Sequence, residues 1–338
     1  MNSRFGHLVV GPRTHGVVRY AASVHAASAK ILDHHCVAFA ETPRADVLGE
    51  LSDCELVHVH VSDRLFGRTP ASAADELRAM VGRLGRPVSV TLHDLPQTSD
   101  GQAMASRIAF YRDVAERAAG LVVSSRHEAA LFREHISREI EPQVIPLMIE
   151  DHLGTRRVTA TTADATVGVL GFLYPGKGHI EVLNAMAGLP GEVGFVVLGA
   201  PSAGHDYLVD ELRSVAEQDS RSFEITGFLD DDDLHRRAAG ITVPVAYHRH
   251  LSASGSINTW IALGRAPLVP RGTYTDELNS RSPGALNMHA EGDSALRQAI
   301  SDAVADPTRT WIEPSVSTGP APSDVARMHD DLFRRWAR

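Results

Sequence analysis

The stretch ATVGVLGFLYPGKGHIEVLNAMAGL (165–189) decides how the chain is read. Residues 165–170 are a short apolar, β-branched run, residues 171–178 interrupt it with glycines, and helical spacing follows. Ile180, Leu183, Asn184, Ala187 and Gly188 fall on one face of that helix. A strand that enters a glycine loop and leaves as a helix is a place to put phosphate. Backbone N–H groups at a helix start are unpaired, and the helix dipole is positive there. Lys177 adds a full charge at that start.

Two other readings stand beside this one. Gly171-x-x-x-x-Gly176-Lys177 spells most of a Walker A loop. Gly178 nevertheless occupies the place of the Ser or Thr that would hold magnesium. The next strand, GFVVLGAP (194–201), ends in Gly199 and Ala200 rather than in an aspartate, and Pro175 removes a donor from the cradle. The third reading is an ordinary strand-to-helix turn with a solvated lysine.

Downstream the strand–helix alternation continues. GFVVLGAP is followed by a helix, YLVDELRSVAEQ, then by strands in FEITGFL and ITVPVAYH and a helix plus strand in NTWIALGRAPLVP. A final helix covers about Ser323–Trp336. Upstream, DHLGTRRVTATTADAT (151–166) loses apolar periodicity and reads as a linker. Before it lies a second alternating half. HLVVG (7–11) is a strand, the turn PRTHG follows, and a helix runs from about Val17 to Lys30. HCVAFA and CELVHVHVSD (54–63) are strands, and 71–84 is a helix. RPVSVTLHDLPQ (86–97) is a buried strand with His93 and Asp94 at its carboxyl end, where ligands bind in open α/β sheets. A helix at about 104–119, a strand–helix pair in GLVVSSRHEAALFRE and a last strand in QVIPLMIED complete the half. Ser125 and Glu128 have capping-box spacing.

Composition bounds the function. The chain has 338 residues, 43% of them hydrophobic and 22% charged, which is enough for two domains with cores. A net charge of −9 disfavours a nucleic-acid partner. Cys36 and Cys54 lack metal-like spacing and read as buried apolar residues of a reducing compartment, so the expected location is cytoplasmic. No cleavable leader and no transmembrane run is seen, while peripheral membrane contact stays open.

Several local patterns have bland explanations. Gly11 and Gly16 flank the first turn, but G-P-R-T-H-G lacks the middle glycine of the dinucleotide fingerprint, so Glu41 is discounted as a ribose ligand. Gly16 either admits a ligand to the backbone or allows a tight turn. His58 and His60 share one strand face and read as hydrogen-bonded structural residues in the absence of a third ligand. The run Asp230–Asp233 opens a short helix, where acids complement the dipole, and reads as a cap rather than a metal site.

Taken in order, the motifs resemble those of a GT-B glycosyltransferase of family 4. The resemblance runs through GPRTHGVVRYA, ELVHVH, PVSVTLHD, AAGLVVSSRHE, VIPLMI, GFLYPGKGHIEVLNAM, FEITGFLDDDDLHRRAAGITVPV and ALGRAPLVPRGTYTDEL, nearly the whole chain. It implies an α/β fold of two Rossmann-like βα domains facing a cleft, with a last helix crossing back to the first domain. The domains would be 1–150 on the acceptor side and 167–320 on the donor side, joined by 151–166 and followed by the helix 321–338. It implies a hexosyltransferase-type enzyme that takes a nucleotide-diphosphate sugar, retains anomeric configuration and needs no metal or other cofactor. Lys177 matches the lysine that neutralises the donor diphosphate, Gly16 the loop glycine whose backbone approaches it, and His93 the histidine beside the transferring sugar. The acceptor, whether glycan, small molecule or lipid-linked, is not identified.

Three positions depart from the family pattern. Phe172 stands where an arginine is usual, and Leu251 and Thr259 stand where two glutamates separated by seven residues are usual. The hydroxyl-rich turn Ser254-Gly255-Ser256 offers another phosphate ligand set, or is a plain helix cap, and Arg249 is a candidate to replace the missing arginine. The alternatives are therefore a GT-B protein that binds a nucleotide or glycan without transferring sugar and, behind it, a P-loop NTPase.

Overall fold

The computed structural model describes residues 4–43, 47–150 and 165–337. The expected linker 151–166 lies outside the described residues except for its last two positions. The chain divides into two compact units: unit 1 is Met1–Met148 with Pro320–Arg338, and unit 2 is Ile149–Gly319.

Unit 1 contains β1 (Phe5–Val10), α1 (Gly16–Ala29), β2 (His35–Ala40), β3 (Leu56–Val61), α2 (Asp63–Phe66), α3 (Pro70–Leu84), β4 (Val88–Leu92), α4 (Met104–Arg117), β5 (Gly120–Val123), α5 (Arg126–His135) and β6 (Gln143–Val144). All six strands are parallel, in the order β2-β1-β3-β4-β5-β6. Parallel strands covered on both faces are apolar throughout, and β1, β3 and β4 are buried at every position. Helix starts and stops obey local chemistry. Thr69 caps α3 by accepting from the Ser72 N–H, Pro70 opens it, and Gly85 ends it in the left-handed region at φ 58°. Ser125 caps α5 by accepting from the Glu128 N–H at 2.9 Å, and the Glu128 carboxylate accepts from the Ser124 N–H at 2.7 Å.

The sheet interior of unit 1 carries histidines. His58 is held at both ring nitrogens, by Ser89 Oγ at 2.9 Å and Thr91 Oγ1 at 2.8 Å, and His60 Nδ1 meets His93 Nε2 at 3.0 Å. The last helix, α12 (Pro322–Trp336), belongs to this unit. Its Val325 and Leu332 join Val24, Val122 and Ile145, and Phe333 joins Phe5 and Leu56. Trp336 lies so close to Gly120 that a Cβ there would meet its ring at 2.1 Å.

Unit 2 contains β7 (Thr166–Leu170), α6 (His179–Ala185), β8 (Gly194–Leu198), α7 (Tyr207–Gln218), β9 (Phe223–Ile225), α8 (Asp231–Ala239), β10 (Val243–Val245), α9 (Gly255–Ala262), β11 (Leu268–Pro270), α10 (Thr273–Arg281), β12 (Asn287–His289) and α11 (Asp293–Ala305). Its six strands are again all parallel, in the order β12-β11-β10-β7-β8-β9. The chain thus has the expected α/β class with two Rossmann-like sheets. Among the described residues no helix is long and apolar enough to cross a membrane.

Four expectations need correction. The strand read in QVIPLMIED shrinks to two residues, because Pro146 has no N–H to give a ladder. β12 escaped the sequence reading. Helix α6 stops at Ala185, ahead of Gly188 and Pro190. It buries His179, Val182, Leu183 and Ala185, whereas Asn184 is exposed and Ala187 and Gly188 lie beyond its end. The two cysteines are not independent apolar residues, since Cys36 Sγ lies 3.1 Å from Cys54 Sγ and Cys36 is only partly buried.

Candidate functional site

In an open parallel sheet, ligands gather past the carboxyl ends of strands where the strand order reverses. In unit 2 that point lies between β7 and β10, the central pair from which the sheet grows outward in both directions. The loop leaving β7 carries residues 171–178, and the segment leaving β10 carries 246–254. Topology alone therefore brings Lys177 to the Ser254-Gly255-Ser256 turn, 79 positions away from Ser256 in the chain.

Glycine makes this approach achievable. Gly171, Gly176 and Gly178 all have positive φ, and a Cβ at Gly178 would lie 2.1 Å from the Tyr247 carbonyl oxygen. The Arg249 N–H donates to the Gly176 carbonyl at 3.0 Å, which ties the two loops together. Lys177 Nζ donates to Ser256 Oγ at 3.1 Å, and Ser256 Oγ is 3.1 Å from Ser254 Oγ. Ser254 also caps α9 by accepting from the Ile257 N–H at 3.3 Å, so the capping role and a place beside the lysine are both real. Around Gly255 a Cβ would meet nothing within 4 Å.

Lys177 is only 7% exposed, and among the described residues no carboxylate pairs with it. Burial lowers its pKa to about 7. Two further bases flank it. His179 and His248 are buried, and all four of their ring nitrogens lack hydrogen-bond partners. Burial first, and Lys177 next, push the His179 pKa down to about 3, and the same two causes lower His248. Neither histidine was singled out in the sequence, where KGH and YHR give no periodic or spacing signal.

Arg249, the candidate for the missing arginine, is placed beside Glu181. It is largely exposed, and its Nε lies 3.4 Å from Glu181 Oε1. Phe172 is partly exposed, Leu251 packs in an apolar cluster, and Thr259 Oγ1 donates to the Gly255 carbonyl at 3.0 Å. None of the three offers a charge. Asp230 caps α8 by accepting from the Asp233 N–H at 2.8 Å, so the acidic run has a structural task.

In unit 1 the sheet reverses between β1 and β3. Gly16 is the first residue of α1, and a Cβ there would meet nothing within 4 Å, unlike Gly11, where it would meet Leu65 at 2.8 Å. Packing demands glycine at 11; at 16 the space is open. His93 follows β4, with its N–H donating to the Val61 carbonyl at 2.8 Å and its ring stacked on His60 at 5.3 Å. Tyr20 of α1 meets it edge-on at 5.9 Å. Burial lowers the His93 pKa to about 4 despite Asp94, so the ring is neutral at neutral pH. Asp94 sits at φ 54°, a strained conformation for a residue other than glycine. Beside this corner a cavity of about 880 Å³ opens, lined by Arg64, Arg68, Thr69 and the Arg107–Asp63 and Arg107–Asp100 ion pairs. The Arg107 guanidinium also donates to the Asp94 carbonyl.

Among the described residues, one group of metal-type ligands converges: His34, His35 and Asp330. Both Nε2 atoms point at Asp330 Oδ1, at 2.7 and 3.1 Å, and Arg334 donates to Oδ2 at 2.8 Å. The carboxylate is already neutralised by these donors, and the cluster ties α12 to β2.

No protein-family model and no curated protein matches the chain. Solved structures do. The chain resembles the Anabaena protein Alr3699/HepE in complex with UDP and glucose, with a TM-score of 0.77 at 13% identity over 98% of this chain and 100% of that one. It also resembles sucrose-phosphate synthase from Thermosynechococcus elongatus, with a TM-score of 0.67 at 14% identity over 99% and 96%. A glycosyltransferase from Rickettsia africae gives a TM-score of 0.60 at 11% identity over 100% of both. At such identities the likeness is one of fold, and the fold shared with these proteins is the two-unit α/β arrangement described above.

Proposed function

We propose that the chain is a glycosyltransferase that takes a sugar from a nucleotide-diphosphate donor held by unit 2 and passes it to an acceptor on the side of unit 1. The observation that carries this reading is Lys177, a buried amine whose one hydrogen-bond partner among the described residues is a single hydroxyl. A diphosphate supplies the missing counter-charge. As the bond to the sugar breaks, negative charge grows on the leaving phosphate, and a preorganised cation in a dry site stabilises it more than water does. Ser254, Gly255 and Ser256 surround the same oxygens, and Arg249 is an outer cation. Within unit 1, Gly16 leaves its backbone open to a phosphate, and neutral His93 offers a hydrogen bond to a sugar. The reaction retains configuration and uses no metal, with a hexose as the sugar. The solved relatives with UDP or UDP-glucose make a uridine donor the first to try.

The test is a thermal-shift panel of UDP, GDP, ADP and TDP and their sugars, with and without magnesium. One diphosphate is expected to stabilise the wild type by about 2.7 kcal/mol at a hundredfold excess over Kd and to do nothing for Lys177→Met. Failure of every member would end the donor reading. A second reading, binding without transfer, is favoured by the uncharged Phe172, Leu251 and Thr259. Donor binding with no turnover over a broad acceptor screen would select it.

A further inference from the structure

We propose that His179 and His248 are ligands of the donor diphosphate, and that its binding draws protons from solvent onto them. The proposal rests on the reading of unit 2 as the donor site. It assigns two residues and a coupling that this reading does not contain.

His58 shows what a fully satisfied structural histidine looks like in this molecule. His58 is fully enclosed, and both of its nitrogens find hydroxyls. His179 and His248 are enclosed as well, at 3% and 8% exposure, yet none of their four nitrogens finds anything. Burying a polar atom without a partner is unfavourable, and each such case calls for an explanation. Single ring nitrogens of His7, His25, His60, His289 and His329 are also unmet, but among the described residues His179 and His248 alone have both nitrogens buried and unmet, and the two lie at one place. His179 follows Gly178, which packs directly on the Tyr247 carbonyl; His248 follows Tyr247, and Arg249 then bonds back to Gly176. Lys177 lies within electrostatic reach of both rings.

Three bases are thus packed together. The charged groups around them are accounted for. On α6, Glu181 is engaged with Arg249. Tyr247 stacks on His289 at 5.9 Å and senses Asp293, Glu291 and Glu181. On α9 the groups are the hydroxyls of Ser254 and Ser256. No acid pairs with Lys177 among the described residues; while the site is empty both histidines stay uncharged at neutral pH, and Lys177, with its pKa lowered to about 7, is about half charged there.

An anion reverses that balance. With diphosphate oxygens beside them, protonated imidazoles gain both a counter-charge and an acceptor for each N–H. One proton from solvent per ring completes the change, and no bond other than N–H is made or broken. The ligand most suited is a nucleotide sugar, whose two phosphates carry fixed charges, because it lacks the terminal phosphate group that titrates near pH 6.

The experiment is calorimetry of UDP-, GDP-, ADP- and TDP-glucose on the full chain. Each is run at pH 6.0 and 8.0 in two buffers of different ionisation enthalpy, which counts protons. At pH 6.0 Lys177 is already about nine-tenths charged, so uptake of more than about half a proton there reports the histidines. His179→Asn and His248→Asn, which donate without titrating, are each expected to abolish part of that uptake and to weaken binding less than the loss of the donor altogether. His179→Phe and His248→Phe are expected to weaken binding about tenfold or more. Binding with uptake at pH 6.0 below about 0.2 proton, or unchanged by the double Asn variant, overturns the proposal and leaves the donor reading standing. Full affinity in the Phe variants assigns the open nitrogens to trapped water and overturns it too. If no nucleotide sugar binds the wild type, both fall together.

Discussion

Arg265 and Lys177 are both buried basic residues of unit 2 with no carboxylate partner among the described residues, and their surroundings could hardly differ more. Arg265 is completely enclosed. It donates to the carbonyls of Ile241, Thr242 and Thr310 and to Thr310 Oγ1, and it stacks on Trp311 at 4.2 Å. Arg221 is treated alike by the carbonyls of Met186 and Val193. Lys177 has one hydroxyl. Backbone carbonyls can satisfy a guanidinium for structural purposes; a buried ammonium with one neutral acceptor is left without such compensation, and its pKa falls. Burial of a cation therefore does not by itself mark a site; what separates Lys177 from Arg265 and Arg221 is the number of acceptors around the charge.

The sharpest way to break this comparison is to remove each cation in turn. Arg265→Met should destabilise unit 2 by about 3–5 kcal/mol, since several buried carbonyls lose their donor at once. Lys177→Met should cost nothing in stability, or raise it, while ending diphosphate binding. Urea denaturation of both variants checks this, and comparable losses in the two would erase the distinction.

A second test asks whether hidden bases without counter-charge are felt by the fold. In unit 1, burial lowers His7, His58 and His60 well below the ordinary value and takes His93 to about 4 and His329 to about 3. The unfolded chain then binds more protons below pH 6.5, so stability is full above 6.5 and is lost as pH falls from 6.5 toward 4. If only two of these rings act, the slope is about 2.7 kcal/mol per pH unit. A flat stability between pH 6.5 and 4.5 would contradict their burial as neutral rings.

Gly178→Ala probes the loop rather than the charge. With φ at 94° and the Tyr247 oxygen 2.1 Å from the new Cβ, the loop must move. A loss of about 1–3 kcal/mol is expected, together with loss of the Lys177–Ser256 contact and of donor binding. Retention of both stability and binding would show that the two loops are not held together by that close approach.

The titration of Lys177 itself gives the most specific test. With its pKa lowered to about 7, Lys177 binds fewer protons folded than unfolded between pH 7 and about 10. Stability of the empty protein should rise across that window by at most about 1.4 kcal/mol per pH unit. Below pH 7 the full penalty of the buried charge applies. Lys177→Met should remove this slope, as should saturating diphosphate.

The parallel sheets were legible because their strands are continuous apolar runs separated by helical periodicity, and the reading survived almost every element. It failed where proline and length decided. Pro146 cut a strand to two residues, and Gly188 and Pro190 shortened α6 and rotated its buried face. The strand β12, at three residues, is too short to show a period. Lys177 and the Ser254–Ser256 turn could be suspected from glycines and hydroxyls, but their contact spans 79 positions and is set by strand order. His179 and His248 were illegible. A histidine is polar to any periodicity count, and what distinguishes these two is the absence of partners, which only coordinates reveal. The Cys36–Cys54 approach was hidden in the same way by its separation of 18 positions.

One consequence follows from the seat of Trp336 against Gly120. Unit 1 is assembled from two pieces of chain, and the roughly 170 residues of unit 2 lie between them. During synthesis at about 5–20 residues per second, the first piece waits on the order of 10–30 s for α12. Throughout that interval Phe5, Val24, Leu56 and Val122 lack their partners from α12. Unit 2, being continuous, can close first. The order of birth of the two halves is then the reverse of their order in the sequence, and the first half is the one exposed to chaperones and to wrong partners while it waits.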